Sequence, residues 1–278
     1  MIYEIMSRKY LLVIGTMDTK GREIDYLLNR IHKLIHKFHA DIETIVLDVG
    51  ILGKALKIVP DYTPEKICEI SGKTINYVRD AKDRGEAINR MGECAEFIVR
   101  KLLKENRCHG IICLAGSSGA MIFRRVAELL PIGMPKIIAS PLANGEKKFG
   151  IFIDTKDIMV MHSVFDIMGI SAESRKIFDQ LAGAIVGAMI SSNYSGKCKK
   201  AVGITLQGNT SQGAMYLKEM LEREGFDVLT FHTSGIGGRA MENMAKENVF
   251  KGVIDYTTNE IFEDIIGGEQ KGCGKDRM

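Results

Sequence analysis

The stretch LLVIGTMDTKGREIDYLL, residues 11–28, sets the architecture of this chain. It begins with an apolar run that ends on Gly15. A polar hinge follows, carrying Thr16, Asp18, Thr19, Lys20 and Gly21. Beyond it Ile24, Leu27, Leu28, Ile31, Leu34, Ile35 and Phe38 recur at three-and-four spacing. A short apolar run closed by glycine reads as a buried strand, and that spacing reads as one face of an amphipathic helix. Strand, turn and helix in this order make the unit of a parallel α/β sheet.

The unit recurs along the chain. IETIVLDVG (42–50) is a second strand. A short helix is expected from Pro64 to Ser71. A longer one, from about Gly85 to Lys104, puts Ile88, Met91, Ala95, Ile98 and Leu102 on one stripe. GIICLAGSSGA (110–120) is a third strand with its turn, followed by a helix through Leu130, and MPKIIASP (134–141) is a fourth strand. FGIFI (149–153) reads as a strand and DIMVMHSVFDIMG (157–169) as a helix. Ser171 caps a long helix that is apolar over more than one face, so it is expected buried between domains or subunits.

YSGKCKK (194–200) reads as a linker. The rhythm then restarts with AVGITLQGN, FDVLTFH and GVIDYT as strands, TSGIGG as a turn, and helices between and after them, the last near Ile261 to Ile266. Near-continuous Val, Ile and Leu in the strands predicts sheets covered on both faces. The expected fold is α/β, with two Rossmann-like open parallel sheets flanked by helices. The first subdomain spans 1–195. The second spans 200–278 and is incomplete, because three strands are few for an independent sheet.

Composition narrows the function. The 278 residues carry 38 Lys and Arg against 35 Asp and Glu, a formal charge of +3. With no long basic run, charge makes no case for nucleic acid. No apolar stretch reaches the roughly 20 residues that cross a bilayer. The six cysteines form no CxxC pair and no secretory signal precedes them, so the expectation is a reduced, soluble, cytoplasmic protein.

In open parallel sheets, ligands bind beyond the carboxyl ends of the strands. Those ends carry Gly15, Thr16, Asp18, Thr19 and Lys20, then Asp48, then Gly116, Ser117, Ser118 and Gly119, and in the second half Gly235, Gly237, Gly238 and Arg239. The Gly116–Gly119 turn is the best anion site, because small residues let backbone N–H groups face outward at a helix N-terminus. The alternative is an ordinary tight turn with a serine cap. Neither glycine-rich turn is a P-loop, and no GxGxxG follows the first strand. Lys20 suits a phosphate as a point charge. Asp18 would repel one unless a metal or sugar hydroxyl lay between. Asp48 ends the second strand, where dinucleotide folds hold a ribose hydroxyl, or it simply makes a turn.

Weaker candidates stand beside these. His162, with Asp157 and Asp166 nearby in sequence, is the best general acid–base, against a packed histidine held by a carboxylate. Lys20 and Asp18 are the other catalytic candidates. His32, His36 and His39 share a helix flank with Lys33 and Lys37, which reads as a solvated basic face rather than a metal site.

Seven stretches together resemble the family of ATP-binding domains typified by the tomato mosaic virus resistance protein. They are GTMDTKGREIDYL, LDVGILG, DRGEAINRM, GIICLAGSSGA, FIDTKDIMVMHSVFDIMGIS, the run from GITLQGN through HTSGIGGRAME, and GVIDYTTNEI. The resemblance implies two Rossmann-like subdomains, ATP or a related nucleotide as ligand (with magnesium left open), and a homodimer. It brings no established reaction. It places the nucleotide against Gly15, Thr16, Asp18, Thr19 and Lys20, against Gly116 to Gly119, and against Gly235, Gly237, Gly238 and Arg239. The family's Gly-Gly-Ser-Gly-Gly turn is here Ala115-Gly116-Ser117-Ser118-Gly119. Family chains run on past GCGKDRM, so a separate chain supplying further strands is an expected partner. Three functions follow as expectations: a nucleotide-binding regulatory module or part of a split protein, an enzyme that activates or transfers a small acid or phosphate with ATP, and a phosphosugar binder.

Overall fold

A computed structural model describes residues 8–143, 153–192 and 201–270. The chain divides into two compact units, Met1–Ile153 with Asp157–Tyr194, and Asp154–Lys156 with Ser195–Met278. Both sheets are parallel throughout, and helices flank them.

The first unit runs β1 (Lys9–Gly15), α1 (Met17–Lys37), β2 (Ile42–Asp48), α2 (Pro64–Ile70), α3 (Ile75–Arg79), α4 (Arg84–Lys104), β3 (Gly110–Leu114), α5 (Ser117–Ala127), β4 (Lys136–Ser140), β5 (Met159–His162) and α6 (Ala172–Ser191). Its strand order is β2-β1-β3-β4-β5. The alternation of side chains along β1 explains the layers. Leu12 and Ile14 enter a core built with α4 and α5, while Leu11 and Val13 enter one built with α1 and α6. A sheet buried on both faces needs strands without polar alternation, and residues 11–14 supply one. Truncating any of these four to Ala costs about 2–5 kcal/mol.

The order 2-1-3 reverses direction at β1. The chain leaves β1 for β2 on one side and later returns to β3 on the other. The crevice between the carboxyl ends of β1 and β3 is therefore the topological switch point, the place where open α/β sheets take ligands.

One expectation is corrected here. Residues 157–169 are not a helix. Met159–His162 pairs with β4 as an edge strand, in register Ile137 to Met159, and Val164 has a positive φ of 68° that no helix tolerates. A short apolar run does not distinguish strand from helix, and an open sheet edge selected the strand. The long helix α6 is capped by Ser171 as expected, with Ser174 N–H donating to Ser171 Oγ at 3.1 Å. Its apolar face closes on α1 and the first sheet. The FGIFI strand lies, save Ile153, outside the described residues, and so does the YSGKCKK linker.

The second unit runs β6 (Ala201–Leu206), α7 (Ser211–Arg223), β7 (Asp227–His232), α8 (Gly237–Lys246), β8 (Phe250–Ile254) and α9 (Asn259–Ile266), in strand order β7-β6-β8. Its core is small: one cluster centres on the buried Val202, Ile204 and Ala214, edged by Leu206, Leu217, Leu221, Phe226, Val228 and Ile254, and Ala201, Met241 and Met244 are buried besides. No helix among the described residues is long and apolar enough to cross a membrane.

Candidate functional site

A cavity of about 510 Å³ opens at the switch point of the first unit. The hinge after β1 lines it with Thr16, Asp18, Thr19 and Lys20. The hinge after β3 lines it with Gly116, Ser117, Ser118 and Gly119. Ile51 and Leu52 after β2, Arg84 at the start of α4, Pro141 and Leu142 after β4, and Asp166 complete the wall. Two hinges separated by about a hundred residues in sequence thus meet around one space, because β1 and β3 are hydrogen-bonded neighbours.

Three helices start at this cavity, α4 with Arg84 and, on the hinges after β1 and β3, α1 and α5. Neither N-cap residue, Thr16 nor Gly116, makes a side-chain cap hydrogen bond. Among the described residues no acceptor takes the backbone N–H groups of Ser117, Ser118 and Gly119. Unpaired N–H groups at a helix start carry a partial positive charge and suit an anion. Gly116 keeps the approach open: a Cβ there would meet nothing within 4 Å.

Two cations stand over these donors. Lys20, 13% exposed, reaches the well-exposed Asp166 at 3.5 Å. That pair is long and largely solvated, so it holds Lys20 only loosely. Arg84 Nη2 donates to Ser118 Oγ at 2.9 Å. Sequence reasoning missed Arg84. The signal was present, because Asp83 caps α4 by accepting from Glu86 N–H at 2.8 Å and so fixes Arg84 in the first turn.

Asp18 is divided in its role. Its Oδ2 accepts from Leu52 N–H at 2.7 Å and holds the loop that forms the cavity wall. Its buried Oδ1 has no hydrogen-bond partner among the described residues. Gly50 is needed at the turn beside it, since a Cβ there would lie 2.7 Å from the Asp18 carboxyl carbon.

Asp48 does not line the cavity. It is fully buried, and its Oδ1 accepts from Met17 N–H and Gly50 N–H, both at 2.9 Å. Through Oδ1 it ties the start of α1 to the end of β2, as the turn-making alternative expects, while its buried Oδ2 has no hydrogen-bond partner among the described residues. Burial pushes its carboxyl up to about 6, against the opposing pull of those two N–H groups.

The second glycine-rich turn differs from the first. The carboxylate of the fully buried Glu260 accepts from Gly235, Gly237 and Gly238 N–H at 2.8, 3.0 and 2.9 Å. The nest expected to face a nucleotide is filled by the protein's own carboxylate. Gly237 is obligatory there, because a Cβ would sit 1.9 Å from the His232 carbonyl oxygen. Arg239 pairs with Asp154, which belongs to the same unit.

His162 ends the edge strand β5, exposed and away from the cavity lining. Asp157 and Asp166 are engaged elsewhere, Asp157 with the buried Lys136 at 2.6 Å and Asp166 with Lys20. His32 shares a hydrogen bond with Thr44 Oγ1 at 2.9 Å. Among the described residues no three His, Cys, Asp or Glu side chains group to hold a metal.

Fold and cavity together define a doubly wound α/β protein with an anion-suited cleft at its first switch point. The chain belongs to the uncharacterised protein family UPF0261: residues 9–194 match that family's N-terminal domain and residues 199–278 its C-terminal domain. A UPF0261 protein of Clostridium tetani is 37% identical over 94% of this chain and 62% of its own length. The tomato (Solanum lycopersicum) ToMV susceptible protein tm-1(GCR26) and resistance protein Tm-1(GCR237) are each 32% identical over 95% of this chain and 37% of their own lengths. The chain therefore spans under two thirds of these relatives. A solved structure, an S. aureus MnaA–UDP co-structure, overlays with a TM-score of 0.25 at 10% identity, covering 93% of this chain and 72% of that one, and bears on nothing further.

Proposed function

We propose that the first unit binds the phosphate groups of a nucleotide, ATP foremost, and acts as a binding module. The observation that carries this reading is the convergence on one cavity of the α5 N-terminus with its unpaired N–H groups, Lys20 and Arg84. Backbone N–H groups and cations aimed at one space are what a phosphate needs. Asp18 lines the same cavity and puts a carboxylate beside these donors, which suits a cation travelling with the phosphates. A magnesium ion would arrive on the phosphate oxygens. The family resemblance supplies ATP as the first ligand to try.

Calorimetric titration with ATP, ADP, NAD and a sugar phosphate tests this. Binding of ATP and ADP that is lost in Lys20→Ala supports the nucleotide reading. Equal affinity for sugar phosphate would favour the phosphosugar reading. Release of ADP or AMP on adding a small acid would convert the module into an enzyme. Failure of every phosphate compound to bind would end the proposal.

A further inference from the structure

The turn Val164–Phe165–Asp166 leaves the edge strand β5 on the way to α6 and brings Asp166 to the wall of the first unit's cavity. Both ends of this turn are fixed. Ser163 before it is fully buried, and its N–H donates to the Ser140 carbonyl at 3.3 Å. Ile167 after it is buried in the core shared with α1 and α6. Gly169 is held further on by the buried Glu23, whose Oε1 accepts from its N–H at 2.5 Å. Between these anchors the turn bulges outward: Val164 is 72% exposed, and the backbone bonds that close it are local, Phe165 N–H to Ser163 O at 2.8 Å and Met168 N–H to Asp166 O at 2.9 Å.

Val164 is also strained. Its φ of 68° lies in the left-handed region, which a β-branched side chain strongly disfavours. Such a residue persists where the surrounding contacts over-determine it, and strained residues gather at ligand clamps and switches. From the turn, Asp166 reaches Lys20 of α1 at 3.5 Å. Lys20 is one of the two cations bordering the cavity, and Asp166 lines the same wall. A carboxylate of the chain itself thus pairs with the lysine that an entering anion needs. Anion and Asp166 compete for one ammonium group, and they repel each other across one cavity.

We propose that Asp166 is a resident counter-ion of Lys20 that an anionic ligand displaces, and that its displacement frees the Val164–Asp166 turn. Ligand oxygens take Lys20, Asp166 swings outward, and Val164 leaves its strained φ, while Ser163, Ile167 and Gly169 stay in place. Asp166 holds down the affinity of the cavity for anions and couples its occupancy to the shape of this turn. The inference rests on the reading that a phosphate-bearing ligand enters the cavity.

Asp166→Asn tests it, because it keeps the size of an exposed side chain and removes the charge. Calorimetry should show ATP bound about fivefold tighter than by the unsubstituted chain, the size of an exposed charge-pair interaction. Glu43→Gln, which removes an exposed charge at the far, amino end of β2, should leave the affinity unchanged. Hydrogen exchange at Phe165 and Met168 should run about threefold or more faster in Asp166→Asn. ATP should produce the same acceleration in the unsubstituted chain, with Gly169 still protected. Unchanged or weaker ATP binding by Asp166→Asn, while the unsubstituted chain binds ATP, overturns the inference and leaves the nucleotide reading standing. An equal gain in Glu43→Gln overturns it by reducing the effect to net charge. Unchanged or slower exchange at Phe165 and Met168 on adding ATP overturns it as well, since the turn then stays put or closes on the ligand. If neither protein binds any phosphate compound, the phosphate reading fails and this inference fails with it.

Discussion

Arg84 donates to Ser118 across 34 positions of sequence and joins the first turn of α4 to the first turn of α5 at the cavity mouth. A guanidinium held this way has donors left over, since a single hydrogen bond of Arg84 is found among the described residues, and Arg84 lines the same cavity as Lys20 and the α5 N-terminus. Arg84 thus sits where an incoming phosphate oxygen would find it already oriented.

Arg84→Ala is accordingly expected to weaken ATP binding by about tenfold or more, since a hydrogen bond to a charged group is worth about 1.5–3 kcal/mol. Thermal stability should change little, because Arg84 itself is exposed and a single half-buried hydrogen bond is lost. Arg84→Lys should recover part of the affinity, as it restores charge but not the planar fork. Calorimetry on the two variants checks this. Equal affinity in all three proteins would remove Arg84 from the site.

Gly116→Val probes the space itself. The added side chain meets no neighbouring atom within 4 Å of its Cβ and the backbone there has an ordinary φ of −77°, so folding should survive. The new methyl groups would stand in the cavity and block approach to the Ser117–Gly119 amides. The expected outcome is an unchanged melting temperature with ATP binding abolished. Unchanged binding would mean that the ligand lies elsewhere.

Glu260→Ala should act in the opposite way, on stability. Removing the carboxylate leaves three N–H groups without an acceptor, those of Gly235 and Gly238 buried and that of Gly237 half-buried, and each buried orphan costs about 1–3 kcal/mol. Fast exchange at Gly235, Gly237 and Gly238, with loosening of α9, is the expected signature. Glu260→Gln should recover part of the loss, because its amide oxygen still accepts. A Glu260→Ala protein with full protection of these amides would contradict the latch.

Asp48 gives the pH dependence. Its folded-state carboxyl is raised to about 6 by burial, above its ordinary value of 3.8. The folded protein therefore holds this proton more tightly than the unfolded chain. The contribution is fully present below pH 3.8 and is lost as pH rises through about 6. It is on the order of 2–3 kcal/mol, because each tenfold gain in proton affinity is worth about 1.36 kcal/mol. Urea titrations between about pH 4 and 6.5 should show this decline superimposed on the other carboxylates. Asp48→Asn, which keeps an acceptor for Met17 and Gly50, should flatten it. An identical pH profile in the variant would show that Asp48 ionises normally.

Much of the fold is legible because it rests on local pattern. The run Leu11–Ile14 has no polar alternation, and a strand of that kind lies only in a sheet covered on both faces. Lys20 and Ser117 are legible as cavity residues for the same reason: strand ends in such sheets face ligands. The rest depends on tertiary arrangement. Arg84 reaches the cavity only because α4 begins beside α5. Glu260 fills the second nest from 22 to 25 positions away, which no turn sequence reveals. Asp48 resembles a ribose ligand because the same strand-end position serves either role, and only the two N–H groups converging on its Oδ1 separate them. β5 escapes a reading by pattern because Met159–His162 is four residues long, and its pairing with β4 rather than its sequence decides its state.

If a phosphate-bearing ligand occupies the switch point of the first sheet, its arrival is visible residue by residue. Backbone amide shifts of the isotope-labelled chain, followed as ATP is added, give that readout. The largest saturable changes are expected at Ser117, Ser118, Gly119 and Thr16–Lys20, with Gly235–Gly238 unmoved behind Glu260. Saturable changes confined to the second unit, or none at all with ATP in millimolar excess, would contradict it.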